Sequence, residues 1–203
     1  MEKVITYIDG FNLYFGLKSK GWKKFYWLNI YILCKNLLKP HQKLIKVKYF
    51  TSRISEPPEK RKRQTTYIEA LETLPNFEIF YGKYQSNKWV CNSCGAETIR
   101  RNEKMTDVNI AVELMKDAFY DNFDSALLIS ADSDLKAPIV AIKEMFPGKR
   151  IVVVFPPERK SYELSKIADA YFHISRSKLA KSLFPEEVKK EDGYILKCPD
   201  KWK

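Results

Sequence analysis

The sequence predicts an α/β protein built on a mainly parallel sheet with helices on both faces. Three observations predict it. Short apolar or β-branched segments alternate with helix-period segments along the 203 residues. The later strands, 126–130 and 151–155, are almost wholly apolar, as strands buried on both faces are. Acidic residues cluster just after predicted strands, where sheets of this class bind ligands.

The elements follow in order. Residues 3–8 (KVITYI) form a first strand that stops at Asp9-Gly10. Residues 13–17 and 28–38 have helical character, the second run ended by Pro40. Residues 43–52 read as a second strand, and Pro57-Pro58 opens a helix reaching Leu74. Residues 77–84 are a third strand by aromatic and β-branched content. Residues 106–120 give the clearest helix, with Val108, Ala111, Val112, Met115 and Phe119 predicted to face the core. After the strand at 126–130 come a helix at 134–146, the strand at 151–155, a helix at 161–168 and a last strand at 171–174. The expected organisation is one domain over residues 1–184, carrying a Cys-containing insertion at about 85–102, and a polar tail over 185–203.

Composition narrows the function classes. A chain 45% apolar with 12 Phe, 12 Tyr and 4 Trp has ample material for a core and is not a disordered chain. Seven Gly and 10 Pro exclude collagen-like and low-complexity classes. Its aliphatic runs are too short to span a bilayer, and no secretory leader pattern precedes the first strand, so an intracellular, cytoplasmic protein without a membrane partner is expected. The net charge of +11 comes entirely from residues 1–104, which hold 20 basic and 9 acidic side chains; residues 105–203 hold 16 of each. Such an excess suits a polyanionic partner. No phosphate-binding loop with its Gly-Lys-Ser/Thr ending is present, and no glycine triad follows the first strand.

Three acidic clusters carry the candidate chemistry: Asp9-Gly10-Phe11-Asn12, Asp107 at the start of the best helix, and Asp132-Ser133-Asp134 after an apolar strand. Each alone reads equally well as a turn or a helix cap. Placed together at successive strand ends, these carboxylates repel one another and are costly to desolvate unless a cation compensates them. Hard oxygen donors without nearby His or Cys favour Mg²⁺ or Mn²⁺ over Zn²⁺. The two histidines, His41 and His173, lie in segments remote from these motifs.

The segments 4–14 (VITYIDGFNLY), 103–111 (EKMTDVNIA) and 126–135 (ALLISADSDL) resemble, in order and spacing, the three motifs of the NYN domains, relatives of the PIN-domain nucleases. The resemblance covers roughly residues 3–175. It implies a three-layer α/β/α sandwich of PIN-like type and a divalent-metal-dependent ribonuclease hydrolysing RNA phosphodiester bonds. Carried over by position, it makes Asp9, Asp107 and Asp132 the metal ligands, with Asp134 completing the acidic pocket and Asn12 orienting the first carboxylate or touching the phosphate. Asp169 matches a further acidic position of such domains and reads equally as a helix-end cap. The alternative function is a non-catalytic RNA-binding or regulatory protein that keeps the fold.

An RNA partner needs a basic path. Arg63, in the run Lys60-Arg61-Lys62-Arg63, and Arg53, Arg100, Arg101 and Lys104 are the candidate nucleic-acid-binding residues, with Trp22 or Trp89 available to stack on bases. Cys91 and Cys94, in Cys-Asn-Ser-Cys-Gly, have the spacing of half a tetrahedral zinc site. Cys34, Cys198 or a second subunit in a homodimer would have to supply the rest; the other readings are reduced thiols or a disulfide. Cys34 sits in an apolar helical run and is expected to be a buried thiol.

Overall fold

The structure, a computed structural model, describes residues 1–90 and 93–203, with the side chains of 84–88 and 98–103 also left outside the description. In chain order the elements are β1 (Glu2–Asp9), α1 (Gly10–Ser19), α2 (Ile30–Leu37), β2 (Gln42–Thr51), α3 (Pro58–Glu72), β3 (Phe77–Tyr81), β4 (Lys83–Val90) and β5 (Glu97–Lys104). They continue with α4 (Thr106–Phe119), β6 (Ser125–Ile129), α5 (Lys136–Met145), β7 (Arg150–Phe155), α6 (Tyr162–Ile167), β8 (Ala170–His173), α7 (Arg176–Ala180), β9 (Glu187–Lys189) and β10 (Ile195–Lys197).

Six strands form one sheet in the order β3-β2-β1-β6-β7-β8, every neighbouring pair parallel. The chain builds outward from β1 to β3 on one side, then from β6 to β8 on the other. Strand order therefore reverses between β1 and β6, the position at which doubly wound sheets open a crevice beyond their carboxyl ends.

Period-2 alternation fills both faces. Val4 and Ile8 of β1, Leu127 and Ile129 of β6, and Val152 and Val154 of β7 enter one core with α1, α2 and α7. Ile5 and Tyr7, Ala126 and Leu128, and Ile151, Val153 and Phe155 enter the other, with α4, α5 and α6. The expected parallel sheet in a three-layer sandwich is what the chain forms.

Three local readings differ from the structure. The α4 side chains in the core are Ile110, Leu114 and Ala118, beside buried Thr106 and Asp117, whereas Val108, Val112 and Phe119 are exposed. The reason is polar. Asp117 and Glu113 face inward because Lys48 of β2 meets both, its Nζ 2.6 Å from each carboxylate, and the Tyr7 hydroxyl donates to Asp117 at 2.5 Å. The run expected as one strand over 77–84 breaks at Gly82, where a Cβ would lie 2.7 Å from the Lys104 carbonyl and from Thr106 Oγ1. Beyond Gly82, β4 and β5 pair as an antiparallel hairpin, from Lys83 opposite Lys104 to Val90 opposite Glu97. Residues 185–203 pair β9 with β10 and bury Val188, Leu196 and Cys198 in the first core.

Candidate metal and nucleic-acid site

Asp9 is the last residue of β1 and the N-cap of α1, its Oδ1 accepting the Asn12 backbone N–H at 2.8 Å. That bond satisfies one orphan donor of the helix and sets the carboxylate at the positive end of its dipole. Asn12 is held in turn, its Oδ1 accepting the Ala131 N–H at 3.2 Å, which ties α1 to the segment after β6. In that segment Asp132 caps a short 3₁₀ turn over Ser133–Leu135, its Oδ1 accepting the Asp134 N–H at 3.0 Å.

Asp107 arrives from the first turn of α4, where Met105 at φ 76° turns the chain out of β5. A cavity of about 160 Å³ brings Asp9, Asn12, Asp107, Asp132, Lys104 and Thr106 together with Phe11, Phe15 and Arg159. Asp134 is exposed and does not line the cavity, yet it is felt there. Burial first, then the charges of Asp132 and Asp134, hold the Asp107 carboxyl above its ordinary value. Hard oxygen donors crowded until one resists ionisation are the donor set that suits a strongly hydrated divalent cation. Among the described residues, no three acidic, His or Cys side chains converge closely enough to ligate one ion directly.

Arg159 escaped the sequence reading. It follows Pro156-Pro157 at the carboxyl end of β7, and its guanidinium lies 6.0 Å from the Phe15 ring centre. Gly16 makes the approach possible, because a Cβ there would meet the Pro157 carbonyl at 2.5 Å. The available signal was positional: an Arg just after a buried strand, on the edge where ligands bind.

The remaining candidates separate. Lys104 lines the acidic cavity and Arg63 a larger neighbouring groove. Arg53 lines neither; it stacks on Tyr81, 4.8 Å from the ring centre, and donates to its hydroxyl at 3.0 Å. The side chains of Arg100 and Arg101, and all of Cys91, lie outside the described residues. Cys94 is exposed, whereas Cys34 and Cys198 are buried in the first core, the Cys34 thiol pushed up to about 12 by burial. Trp22 packs on Phe25, and Trp89 is exposed on β4. Asp169 binds Lys143 Nζ and the Ile151 N–H, both at 2.7 Å, which puts it at the amino end of β7, away from the carboxylates. His41 pairs with Glu2 at 3.2 Å on that same edge.

The fold and the cavity define a PIN-like α/β protein whose acidic crevice opens at the carboxyl ends of the central strands. The NYN domain family model matches residues 3–176, and the chain belongs to that family, a member of the PIN-like superfamily. NYN domains are generally nucleases, and nucleases of this kind typically use divalent metals. A solved protein of unknown function from Vibrio parahaemolyticus superposes with a TM-score of 0.57 at 18% identity, covering 90% of this chain and 96% of that one, which shows the fold. The chain is also 26% identical over 236 aligned residues to 6-hydroxy-3-succinoylpyridine 3-monooxygenase HspA of Pseudomonas putida, covering 97% of this chain and 74% of that protein. Among the described residues, no helix is long and apolar enough to cross a membrane.

Proposed function

We propose that the protein is a divalent-metal-dependent ribonuclease that hydrolyses RNA phosphodiester bonds at the cavity shared by Asp9, Asp107 and Asp132. One observation carries the reading: carboxylates from three separate motifs line a single crevice, close enough that Asp132 and Asp134 raise the Asp107 carboxyl. Asp9, Asp107 and Asp132 would hold Mg²⁺ or Mn²⁺, directly or through water, with Asp134 at the rim. Bound there, a divalent ion would supply charge against the phosphoryl oxygens and would lower the pKa of a water for attack. The protein's part is positional: Asn12 and the α1 N-terminus fix Asp9, and Arg159 and Lys104 bring positive charge to the phosphate. No Ser, Cys or His nucleophile is needed.

Asp9→Asn and Asp132→Asn, incubated with labelled RNA and Mn²⁺, test the proposal. Loss of cleavage in both is expected, and unaltered cleavage in both would end it. A second reading, an RNA-binding protein without turnover, is favoured by the lack of a preformed three-residue ligand set among the described residues. Wild-type protein that binds RNA without cutting it in Mg²⁺ or Mn²⁺ would establish that reading instead. The relative named as a monooxygenase of a substituted pyridine brings a small heteroaromatic ring into consideration as a ligand of the groove beside the carboxylates.

A further inference from the structure

Beside the acidic cavity lies a groove of about 780 Å³, within the range of about 300–1,000 Å³ usual for ligand sites. Phe11 and Phe15 line both spaces, so the groove and the acidic cavity share this pair of aromatic side chains. Its wall is a continuous set of rings. Tyr14 and Tyr26 lie 5.0 Å apart, Tyr26 and Trp202 5.8 Å, and Tyr67 and Trp202 6.0 Å. Tyr14, Tyr26 and Trp202 line the groove and are only partly buried.

The charged lining is mainly cationic. Lys18, Lys23, Lys60, Arg63 and Lys201 contribute cations, against the single carboxylate of Glu56. Lys23 and Lys60 form no ion pair among the described residues, while Arg63 and Lys201 reach Glu59 only at 3.8 and 4.0 Å. Arg63 stands near enough to Tyr14 for its charge to oppose the effect of burial on that phenol. Gln64, the amide best placed to read a ligand, is already used on both sides. Its Oε1 accepts the Ile54 N–H and its Nε2 donates to the Ser52 carbonyl, each at 2.9 Å.

Stacking faces and cations are the chemistry of a nucleotide held by its ring and its phosphate. We infer that this groove is a base-binding subsite, taking one unstacked nucleobase of an RNA strand while its flanking phosphates meet Lys60, Arg63 and Lys201. An unstacked base is available in single strands and loops and not inside an A-form duplex. A base bound here is therefore unpaired, held by its ring face and its flanking phosphates. The inference rests on the ribonuclease reading only for the identity of the strand; occupancy of the groove is measurable without cleavage.

The test uses the full chain carrying Asp132→Asn and follows Trp fluorescence on titration with a single-stranded RNA hexamer, the same hexamer in duplex, AMP and adenosine. The single strand is expected to bind at least 10-fold tighter than the duplex, and AMP tighter than adenosine. Tyr26→Ala should weaken single-strand binding about 10-fold, as should the paired surface change Lys60→Ala with Arg63→Ala, which leaves the aromatic wall intact should Tyr26→Ala not fold. Unchanged binding in the Lys60/Arg63 variant, equal affinity for duplex, or adenosine binding as tightly as AMP would each overturn the subsite; the last result would assign the groove to a phosphate-free heteroaromatic molecule. Cleavage by the wild-type chain is read separately. Binding as expected without cleavage removes the nuclease reading and keeps the groove. Cleavage with binding unchanged in the variants does the reverse.

Discussion

Ser130 and Asp9 meet across the ends of adjacent strands, the serine hydroxyl donating to Asp9 Oδ2 at 3.2 Å. The same Ser130 oxygen accepts the Asp132 backbone N–H at 3.1 Å. One buried hydroxyl therefore fixes the spacing between two of the three cavity carboxylates. Ser130→Ala leaves both carboxylates in place and removes what sets their relation. Changes behind a metal-binding group commonly cost 10–100-fold, and about a 10-fold loss of kcat with a higher half-saturating Mn²⁺ concentration is expected here. Unchanged Mn²⁺ dependence would mean that Ser130 only packs.

Asp107→Asn should stabilise the metal-free chain while removing cleavage. Burial and the Asp132 and Asp134 charges make the ionised Asp107 unfavourable in the folded protein, and an amide of the same shape escapes both. A Tm higher by about 2 °C in EDTA is expected, as about 0.5–1 kcal/mol would give in a chain of this length. Excess Mg²⁺ should narrow or reverse the difference, because only the carboxylate gains from the ion. Equal Tm values in EDTA would remove the argument that these charges strain the crevice.

On the far side of the central strands, Lys48 answers Asp117 and Glu113 in the second core. Lys48→Met leaves two inward carboxylates without their cation, and breaking a buried pair in this way costs about 3–5 kcal/mol. Urea unfolding should show that loss, and adding Asp117→Asn should recover part of it. The pH dependence has a definite sign. Burial alone would lower the Lys48 pKa, but the hydrogen bonds and charges of Asp117 and Glu113 outweigh it and raise the value above ordinary lysine. The stabilisation is then fully present below the unfolded-state lysine pKa and lost as pH rises through the folded value. Wild type should thus lose stability on the alkaline side, and Lys48→Met should lose less there.

That same cluster explains where the sequence was legible and where it was not. Strands announce themselves by apolar continuity, so β1, β6 and β7, with Asp9 at the end of the first and Asp132 just after the second, could be read from composition and order. The core face of α4 could not, because Val108, Val112 and Phe119 outweigh Asp117 by hydropathy, and the deciding partner, Lys48, lies 69 positions away in sequence. Arg159 was hidden for a related reason. Its role depends on a Gly16–Pro157 approach between segments about 140 residues apart. Arg53 fails the other way: its place at the end of a strand was visible, and its capture by Tyr81 was not. The closeness of α1, α3 and Trp202 around the groove is likewise a matter of packing between distant segments.

Arg159 yields the last prediction. It is a cationic side chain among carboxylates, supported on Phe15 and delivered by a loop that touches α1 at Gly16. It lines the same cavity as Asp9, Asp107 and Asp132; on the proposed reading it would meet the phosphate of an RNA strand bound there through a cation. Removing one phosphate contact on a single strand lowers the slope of log K against log salt by about 0.7. Arg159→Ala should therefore raise KM for RNA about 10-fold with a shallower salt dependence, and kcat should change less than KM. Gly16→Ala should act in the same direction without touching the charge, since its Cβ would press on the Pro157 carbonyl and displace the loop that carries Arg159. If Arg159→Ala left KM and the salt slope unchanged while Gly16→Ala impaired cleavage, the loop would matter for the shape of the crevice and the guanidinium would have no part in holding RNA.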